Sequence, residues 1–330
     1  MYNKLYLIDE KINNGFLQET NNMIYQTGNI IKKKNIVNDE VILSVELRKG
    51  VNIQKIKKID DGYIGLSSNR LIFMNKTLKV KNDKKMNYAG YHIYKNNFLF
   101  SISDYDYSTF TGKYGFYDFI ADENIWETDF GGIPSSTDGK NLFRLSLNKI
   151  EKLNFLNGEI LWVYKIQNDL KGIYPKNIGI SNTSVIIGLE SIDKLIALDL
   201  ETGELKWEIK SFPSLDKLDE TKKYIYSISS GFVKIDTETG NETDIFIDRD
   251  YFNKIGILSQ RNNYAVTGDY IITTDHQTGT IGAFNTVTHR FDWIHEEPGI
   301  SFPGGHPIKY SEPYLFVMDN KHNLHIFEKQ

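Results

Sequence analysis

Cysteine is absent from the 330-residue sequence. Its absence excludes disulfide bonds, thiolate metal ligands and cysteine nucleophiles. Long hydrophobic runs are absent too. No stretch approaches the roughly 18 apolar residues that a membrane-spanning helix needs, and the first apolar run is too short for a signal peptide. We therefore expect a cytoplasmic protein that does not interact with membranes.

An excess of one charge is also lacking, because 39 basic and 43 acidic residues give a net charge of −4. This balance predicts no broad electrostatic attraction to nucleic acid. With 40% hydrophobic residues, the chain has enough apolar surface to form a buried core. Its apolar runs are short and rich in β-branched and aromatic residues, as at 186–189, 224–228 and 270–273. Such runs predict strands, so we expect an all-β protein.

All four tryptophans occupy one column of an internal repeat. The clearest copy has Asp199 at the end of a strand, Gly203 four residues later and Trp207 four residues after that. Four further copies place related residues in the same three columns: Asp118, Asp122 and Trp126; Asn154, Gly158 and Trp162; Asp236, Gly240 and Asp244; Asn285, His289 and Trp293. Successive copies are 36, 45, 37 and 49 residues apart, which suits the four-stranded blades of a β-propeller.

Turn chemistry gives this frame a physical reason. An aspartate at a strand end, such as Asp199 or Asp236, can accept hydrogen bonds from the backbone of the turn. Glycine in the second column, at Gly158, Gly203 and Gly240, supplies the positive φ needed between the third and outermost strands. A tryptophan in the third column then lies on the outermost strand. Its ring is expected to cover the edge between neighbouring blades, which contributes about 3–5 kcal/mol.

The pattern resembles the tryptophan-docking repeats of the quinoprotein-like (PQQ-like) β-propeller superfamily, whose signature is approximately Ala-x-Asp-x-x-Thr-Gly-x-x-x-Trp. The segment from Ala197 to Trp207 matches the signature at every marked position. The resemblance implies a β-propeller. It does not imply a quinone cofactor, because the resembling dehydrogenases typically carry adjacent cysteines beside the quinone and this chain has none. We therefore expect no cofactor, no metal site and no catalytic residues.

The predicted fold is an all-β propeller of four-stranded antiparallel blades that occupies residues 1–330 as a single domain. We predict seven blades, with eight as the alternative, because residues 14–50 fit no blade pattern well. The last blade is expected to combine C-terminal strands at 314–317 and 324–327 with an N-terminal strand at 5–8. Such a blade closes the ring and removes an open sheet edge. We expect the propeller to be monomeric.

Aromatic side chains are concentrated between residues 104 and 119, and the part up to 115 is expected to form a long loop. Aromatic residues in such a loop favour a protein interface, because they bury much area at a low entropic cost. The alternative is that they pack on their own blade. A second candidate is the proline-rich crossover at 296–307. The candidate partner-binding residues of the two segments are Tyr105, Tyr107, Phe110, Tyr114, Tyr117, Phe302 and His306.

Two functions are consistent with this sequence. The first is a non-enzymatic cytoplasmic scaffold that binds another protein through its loop face, for example in an immunity or antitoxin role. The alternative is a binder or hydrolase of a small molecule or sugar at the mouth of the central channel, which would require carboxylates that converge there. We favour the scaffold because the sequence shows no assembled catalytic set.

Overall fold

The part of the chain that the computed structural model describes is residues 2–67, 70–85, 90–93, 98–106, 111–118, 121, 123–131, 133–135, 140–146, 148–166, 175–211, 216–219, 221–228, 232–244, 249–255, 257, 264–275, 277–303 and 308–330. Its regular structure is almost entirely β-strand, as predicted. It contains one short 3₁₀ helix, Glu190–Ile192, and one α-helix, α1 (Arg249–Ile255). No helix in these residues is long and apolar enough to cross a membrane.

The first nine strands comprise one strand that belongs to the last blade and then two complete blades. The N-terminal strand is β1 (Tyr2–Ile8). Blade 1 consists of β2 (Ile12–Glu19), β3 (Asn22–Thr27), β4 (Ile30–Asn35) and β5 (Val41–Glu46). Blade 2 consists of β6 (Lys55–Ile59), β7 (Gly62–Ser67), β8 (Arg70–Asn75) and β9 (Val80–Lys85).

The middle of the chain forms four blades. Blade 3 consists of β10 (Gly90–Ile93), β11 (Phe98–Asp106), β12 (Thr111–Asp118) and β13 (Glu123–Gly131). Blade 4 consists of β14 (Ile133–Ser135), β15 (Leu142–Ser146), β16 (Lys149–Leu153) and β17 (Ile160–Lys165). Blade 5 consists of β18 (Pro175–Ile180), β19 (Ser184–Leu189), β20 (Lys194–Asp199) and β21 (Leu205–Lys210). Blade 6 consists of β22 (Lys217–Leu218), β23 (Tyr224–Ile228), β24 (Phe232–Asp236) and β25 (Glu242–Asp244).

The C-terminal part of the chain supplies the last two blades. Blade 7 consists of β26 (Tyr264–Thr267), β27 (Tyr270–Thr274), β28 (Thr280–Asn285) and β29 (Arg290–Glu296). Blade 8 consists of β30 (Lys309–Ser311), β31 (Tyr314–Met318), β32 (Leu324–Lys329) and the N-terminal β1. The antiparallel pairing of β1 with β32, for example Leu7 with His325, confirms the predicted combination of N- and C-terminal strands in one blade.

Chain contacts divide these sheets between two compact units. Unit 1 consists of Met1–Asn87, Phe252–Ala265 and Tyr270–Gln330, and it contains blades 1, 2 and 8 with most of blade 7. Unit 2 consists of Tyr88–Tyr251 and Val266–Asp269, and it contains blades 3 to 6. Each unit has its own buried aliphatic and aromatic clusters, and the second strands β7 and β19 are buried along their whole length.

The described chain forms eight antiparallel four-stranded sheets, which are the blades of an eight-bladed β-propeller. The prediction of seven blades is therefore wrong, and the eight-bladed alternative is right. The additional blade is blade 1, in the segment that fitted no pattern. It uses the repeat with other residues, because Asn35, Asp39 and Leu43 occupy the three columns. Asp39 adopts the positive φ, 61°, without being glycine.

The turns between third and fourth strands have the geometry that the repeat requires. In blade 5, Asp199 Oδ1 accepts hydrogen bonds of 2.9 Å from the N–H groups of Glu201 and Thr202. Asp236 makes the equivalent bonds in blade 6 at 3.0 and 2.9 Å. The second-column glycines have positive φ values, which are 73° at Gly158, 75° at Gly203 and 71° at Gly240. The aspartate side chain therefore stabilises the turn by accepting hydrogen bonds from its backbone.

Three of the tryptophans join consecutive blades of unit 2. The indole N–H of Trp126 donates to Phe155 O at 2.6 Å, that of Trp162 to Leu200 O at 3.2 Å and that of Trp207 to Thr237 O at 3.0 Å. Each ring also covers the second-column glycine of the next blade. A Cβ atom would lie 2.9 Å from the Trp126 ring at Gly158, 2.6 Å from the Trp162 ring at Gly203 and 2.9 Å from the Trp207 ring at Gly240. Glycine is therefore required by close approach as well as by φ.

Trp293 in unit 1 is held differently. Its ring centroid lies 5.2 Å from that of Tyr2 and 5.5 Å from that of Phe327, and it stacks on His295 at 6.1 Å. The turn that follows in blade 8 contains no glycine, and His322 supplies the positive φ of 65° there. In unit 2 each tryptophan ring packs on a glycine of the next blade. The Trp293 ring instead packs against the aromatic rings of Tyr2 and Phe327.

Candidate functional site

The outermost strand of blade 4, β17, carries a row of exposed apolar side chains. Ile160 is 51% exposed, Leu161 54% and Val163 46%. Trp162 between them is only 8% exposed, because its ring packs against Gly203 of the next blade. β17 is the last strand of its sheet, and in the described part of the chain no further strand pairs with its outer edge. Its backbone hydrogen-bonding groups on that edge therefore lie beside an apolar surface.

The same positions of the next blade are charged. On β21, Lys206 and Glu208 flank Trp207 in the places of Leu161 and Val163. Lys206 Nζ lies 2.9 Å from Glu238 Oε2, and Glu208 Oε1 lies 3.0 Å from Lys194 Nζ. Charged side chains on an edge strand prevent unwanted pairing with other chains. β21 has this protection, and β17 does not.

The other outermost strands that match the frame each have at least one polar residue beside the column residue. Ser44 follows Leu43 on β5, Glu127 follows Trp126 on β13, and Asp292 precedes Trp293 on β29. β17 is therefore the strand of this set with apolar residues on both sides of the column position. Exposed apolar residues scattered singly are ordinary, whereas a contiguous row indicates an interaction site.

A cavity of about 510 Å³ lies in unit 1 among the innermost strands of blades 8, 1 and 2. Its charged lining groups among the described residues are Lys55 on β6 and Lys309 on β30, and none of the described carboxylates lines it. Lys309 Nζ donates to Phe16 O at 3.0 Å and lies 3.6 Å from the centroid of the Phe16 ring. Burial, together with the charge of Lys55, lowers the pKa of Lys309 to about 8. The cavity is therefore a cationic site with aromatic walls.

A second cavity, of about 360 Å³, lies in unit 2 between β18 and β22. It contains both signs of charge, because Asp216, Lys217 and Lys222 line it. Asp216 is buried and accepts a hydrogen bond of 3.1 Å from Ser211 Oγ. Burial raises the pKa of Asp216 to about 6 and lowers that of Lys217 to about 8. In the described residues, no three histidine, aspartate or glutamate side chains are grouped to hold a metal ion.

The structure describes two of the seven predicted partner-binding side chains, and both are buried. Tyr107, Phe110 and His306 lie outside the described residues, and the side chains of Tyr105 and Tyr114 are also outside them. Tyr117 is 5% exposed and Phe302 is completely buried. A partner therefore has no access to these two rings, because they are packed into the protein, as the alternative interpretation expected for the aromatic segment.

The expected long loop at 104–115 is mostly strand. β11 continues to Asp106 and β12 begins at Thr111, and these two residues pair with each other. Residues 107–110 between these two strands lie outside the described residues. Phe116 and Tyr117 are adjacent on β12 and both buried, so aromatic side chains on both faces of this strand pack into the protein.

Sequence reasoning missed the apolar strand and both cavities. The apolar strand could have been found by comparing copies of the repeat, because Leu161-Trp162-Val163 and Lys206-Trp207-Glu208 stand in register. The cavity of unit 1 gives no such signal. Lys55 and Lys309 come from opposite ends of the chain and meet only because the innermost strands of blades 2 and 8 lie near blade 1.

No protein-family model matches this chain, and no curated protein does. Solved structures do resemble it. BamB from Moraxella catarrhalis has 14% identity and a TM-score of 0.66, over 99% of this chain and 100% of that one. The computationally designed protein Ika8 has 9% identity and a TM-score of 0.70, over 98% and 99%. Sqt1 from Saccharomyces cerevisiae has 10% identity and a TM-score of 0.69, over 100% and 98%.

These likenesses extend over nearly the whole chain at very low identity. At this level they show a fold and carry no residue roles. One of these structures is a designed protein, so a likeness of this kind requires only a similar fold. Together with the eight four-stranded sheets, they show that this chain is a β-propeller of eight blades.

Proposed function

We propose that this protein is a non-enzymatic scaffold that binds another protein, and that the edge of β17 is part of the binding surface. The observation that carries the proposal is the pair Leu161 and Val163, exposed on both sides of the buried Trp162. The corresponding strand of the next blade has Lys206 and Glu208 at these positions. The blade joint tolerates either kind of residue, so the apolar choice on β17 serves something other than the fold.

The physical argument for binding combines two contributions. Complete burial of a fully exposed side chain of this kind contributes about 1.5–3 kcal/mol. Leu161 and Val163 are about half exposed, so each releases about 1 kcal/mol when a partner covers it. The outer edge of β17 also offers backbone donors and acceptors, and an extended segment of a partner can add a strand to such an edge. We therefore propose an extended apolar segment of another polypeptide as the bound element. The hydrogen bonds would supply affinity, and the apolar contacts would supply specificity.

We also propose a superfamily for this chain. We propose that the chain is a member of the quinoprotein-like propellers, and the tryptophan contacts with Gly158, Gly203 and Gly240 support this. A role without catalysis is consistent with the resemblance. The cytoplasmic location and the immunity or antitoxin role stay predictions from the sequence.

The test compares two variants with the wild-type protein. In Leu161→Lys/Val163→Glu the exposed residues of β17 are replaced by those of β21. The matched control, Leu205→Lys, changes an apolar side chain on β21 that is 43% exposed. A partner recovered with the wild-type protein from the native cell extract is purified and titrated against all three proteins. We expect the double variant to bind about 30-fold more weakly, since about 2 kcal/mol of apolar contact is lost.

The control Leu205→Lys is expected to bind with the wild-type affinity. Circular dichroism and thermal unfolding must show that all three proteins are equally folded. Equal affinity of the double variant and the wild-type protein would overturn the role of β17. Recovery of no specific partner with folded wild-type protein would count against the scaffold itself. Concentration-dependent sedimentation would reveal whether the bound polypeptide is a second copy of the chain.

A further inference from the structure

The cavity of unit 1 is formed by strands that occupy the same place in three blades. β2, β6 and β30 are the innermost strands of blades 1, 2 and 8. The cavity of about 510 Å³ lies within the range of about 300–1,000 Å³ that small-molecule sites have. The cavity is therefore large enough for a small organic ligand. Its lining lies mainly on regular strands, which hold their side chains more precisely than loops do.

The charges in this cavity have one sign. Lys55 and Lys309 line it, and each has no carboxylate within 4.0 Å among the described residues. Burial and the charge of Lys55 also lower the pKa of Lys57 on the same strand, so Lys55 has like charges near it from both Lys57 and Lys309. Like charges that share a partly buried site repel each other, and each disfavours the charged form of its neighbour. An anion at this place would relieve that repulsion.

Lys309 is positioned to donate hydrogen bonds to such an anion. One N–H of its ammonium group is used by Phe16 O, 3.0 Å away. An ammonium group has three donors, so two remain for a ligand. The Phe16 ring, 3.6 Å from Nζ, also holds the group in place through a cation–π contact. Lys55 is exposed and can approach the same ligand from β6.

The remaining walls supply both apolar and polar contacts. Phe16, Ile56, Ile308 and Phe316 line the cavity but are buried, whereas the half-buried Leu17 offers it an accessible apolar surface. Gln18 and Gln54 carry amide groups at the side. An anion alone would leave the apolar surface exposed to water. A ligand that combines a charged group with a small aromatic or aliphatic body would cover both parts. We propose that this cavity binds a small phosphate monoester, with the phosphate at Lys55 and Lys309 and the organic body against Leu17.

The cavity of unit 2 shows why the first one is distinctive. It also contains lysines, Lys217 and Lys222, but the carboxylate of Asp216 lines it as well. Part of the positive charge there is therefore balanced within the protein. In the cavity of unit 1 the described residues provide no such balance, and an outside anion is the natural counter-charge. This inference is independent of the protein-binding edge of β17.

The experiment is isothermal titration calorimetry of the whole chain in a phosphate-free buffer at pH 7. The probes are phenyl phosphate, inorganic phosphate and the uncharged benzyl alcohol. The variants are Lys55→Met and Lys309→Met, which keep the length of the side chain and remove its charge. The control is Lys217→Met in the cavity of unit 2, which removes a half-buried lysine of similarly lowered pKa.

We expect phenyl phosphate to bind with a stoichiometry of one, inorganic phosphate more weakly, and benzyl alcohol not at all. Each of Lys55→Met and Lys309→Met is expected to weaken phenyl phosphate binding about 10-fold or more, since charge-assisted hydrogen bonds to phosphate are strong. Lys217→Met is expected to retain the wild-type affinity. Should Lys309→Met not fold, the exposed Lys55 still provides the test.

Three results would overturn the proposal. One is that the wild-type protein does not bind phenyl phosphate at millimolar concentration. Another is that Lys55→Met binds it as tightly as the wild-type protein does. A third is that Lys217→Met, and not the variants of unit 1, loses the affinity, which would place the anion in the other cavity.

Discussion

β17 and β21 are equivalent outermost strands in neighbouring blades of unit 2. Both follow a turn with a positive-φ glycine, and both bury a tryptophan against the glycine of the next blade. They differ at the two positions that flank the tryptophan, which are Leu161 and Val163 on β17 and Lys206 and Glu208 on β21. The column residues therefore determine the blade, and the flanking residues are available for function.

The largest expected effect tests what the two strands share. Trp162→Ala and Trp207→Ala should each lower the free energy of unfolding by about 3–5 kcal/mol, because each removes a buried ring from a blade joint. Urea unfolding followed by fluorescence and circular dichroism measures this loss. A loss under about 1 kcal/mol at either position would show that the ring is not a principal contact of the joint.

The next effect concerns the glycine against which the β17 tryptophan packs. In Gly203→Ala the new Cβ would lie 2.6 Å from the Trp162 ring, at a φ of 75°. We expect a loss of about 1–3 kcal/mol from strain and displacement of the ring. The matched control is Gly28→Ala, which also has a positive φ, 55°, but has no atom within 4 Å of the new Cβ. Equal losses in the two variants would show that φ alone matters.

The flanking residues of β21 can be exchanged for those of β17. Lys206→Leu/Glu208→Val gives β21 an apolar edge and removes its ion pairs with Glu238 and Lys194. We expect the free energy of unfolding to change by less than about 1 kcal/mol, since exposed ion pairs contribute little. Self-association, measured by analytical ultracentrifugation, should increase. Unchanged self-association would mean that apolar flanking residues do not suffice to create a binding edge.

The smallest effect distinguishes the turns before the two strands. The β21 turn starts with Asp199 and the β17 turn with Asn154. Backbone hydrogen bonds from Thr202 and Glu201 lower the pKa of Asp199. Its stabilisation is therefore present above the unfolded-state pKa of about 3.9 and is lost as the pH falls through the lower folded-state pKa.

Because Asp199 is exposed and screened by solvent, this stabilisation is expected to be less than about 1 kcal/mol. Asp199→Asn, which copies the β17 turn, should be less stable than the wild-type protein by no more than this amount at pH 7 and should lose less stability between pH 4 and pH 2. Urea unfolding at these pH values measures the difference. Parallel acid profiles of the two proteins would show that the Asp199 bonds do not favour the ionised form.

Most of the fold could be predicted from the sequence, because the repeated aspartate or asparagine and glycine are the residues that the turns between the third and fourth strands require. Blade 1 was missed because Asp39 and Leu43 stand where glycine and tryptophan mark other blades. Blades 2 and 8 lack the usual spacing, since Leu78 and His322 take the positive φ only three residues after Asn75 and Asp319. A residue other than glycine can adopt this conformation when the surrounding turn holds it.

The candidate sites could be predicted only in part. The apolar edge of β17 is a local feature, visible once copies of the repeat are compared position by position. The lysines of the unit 1 cavity are distant in sequence, and nothing near Lys55 or Lys309 indicates that they share a cavity. The aromatic residues Tyr117 and Phe302 illustrate the opposite error, because aromatic composition does not distinguish a buried ring from an exposed one.

The most direct test of the protein-binding edge is site-specific photo-crosslinking inside the native cell. A benzophenone amino acid is placed at position 163 on β17 and, in a separate protein, at position 208 on β21. We predict a discrete crosslinked polypeptide from position 163 and none from position 208. Crosslinks of equal yield from both positions, or none from position 163 in a folded protein, would contradict the account.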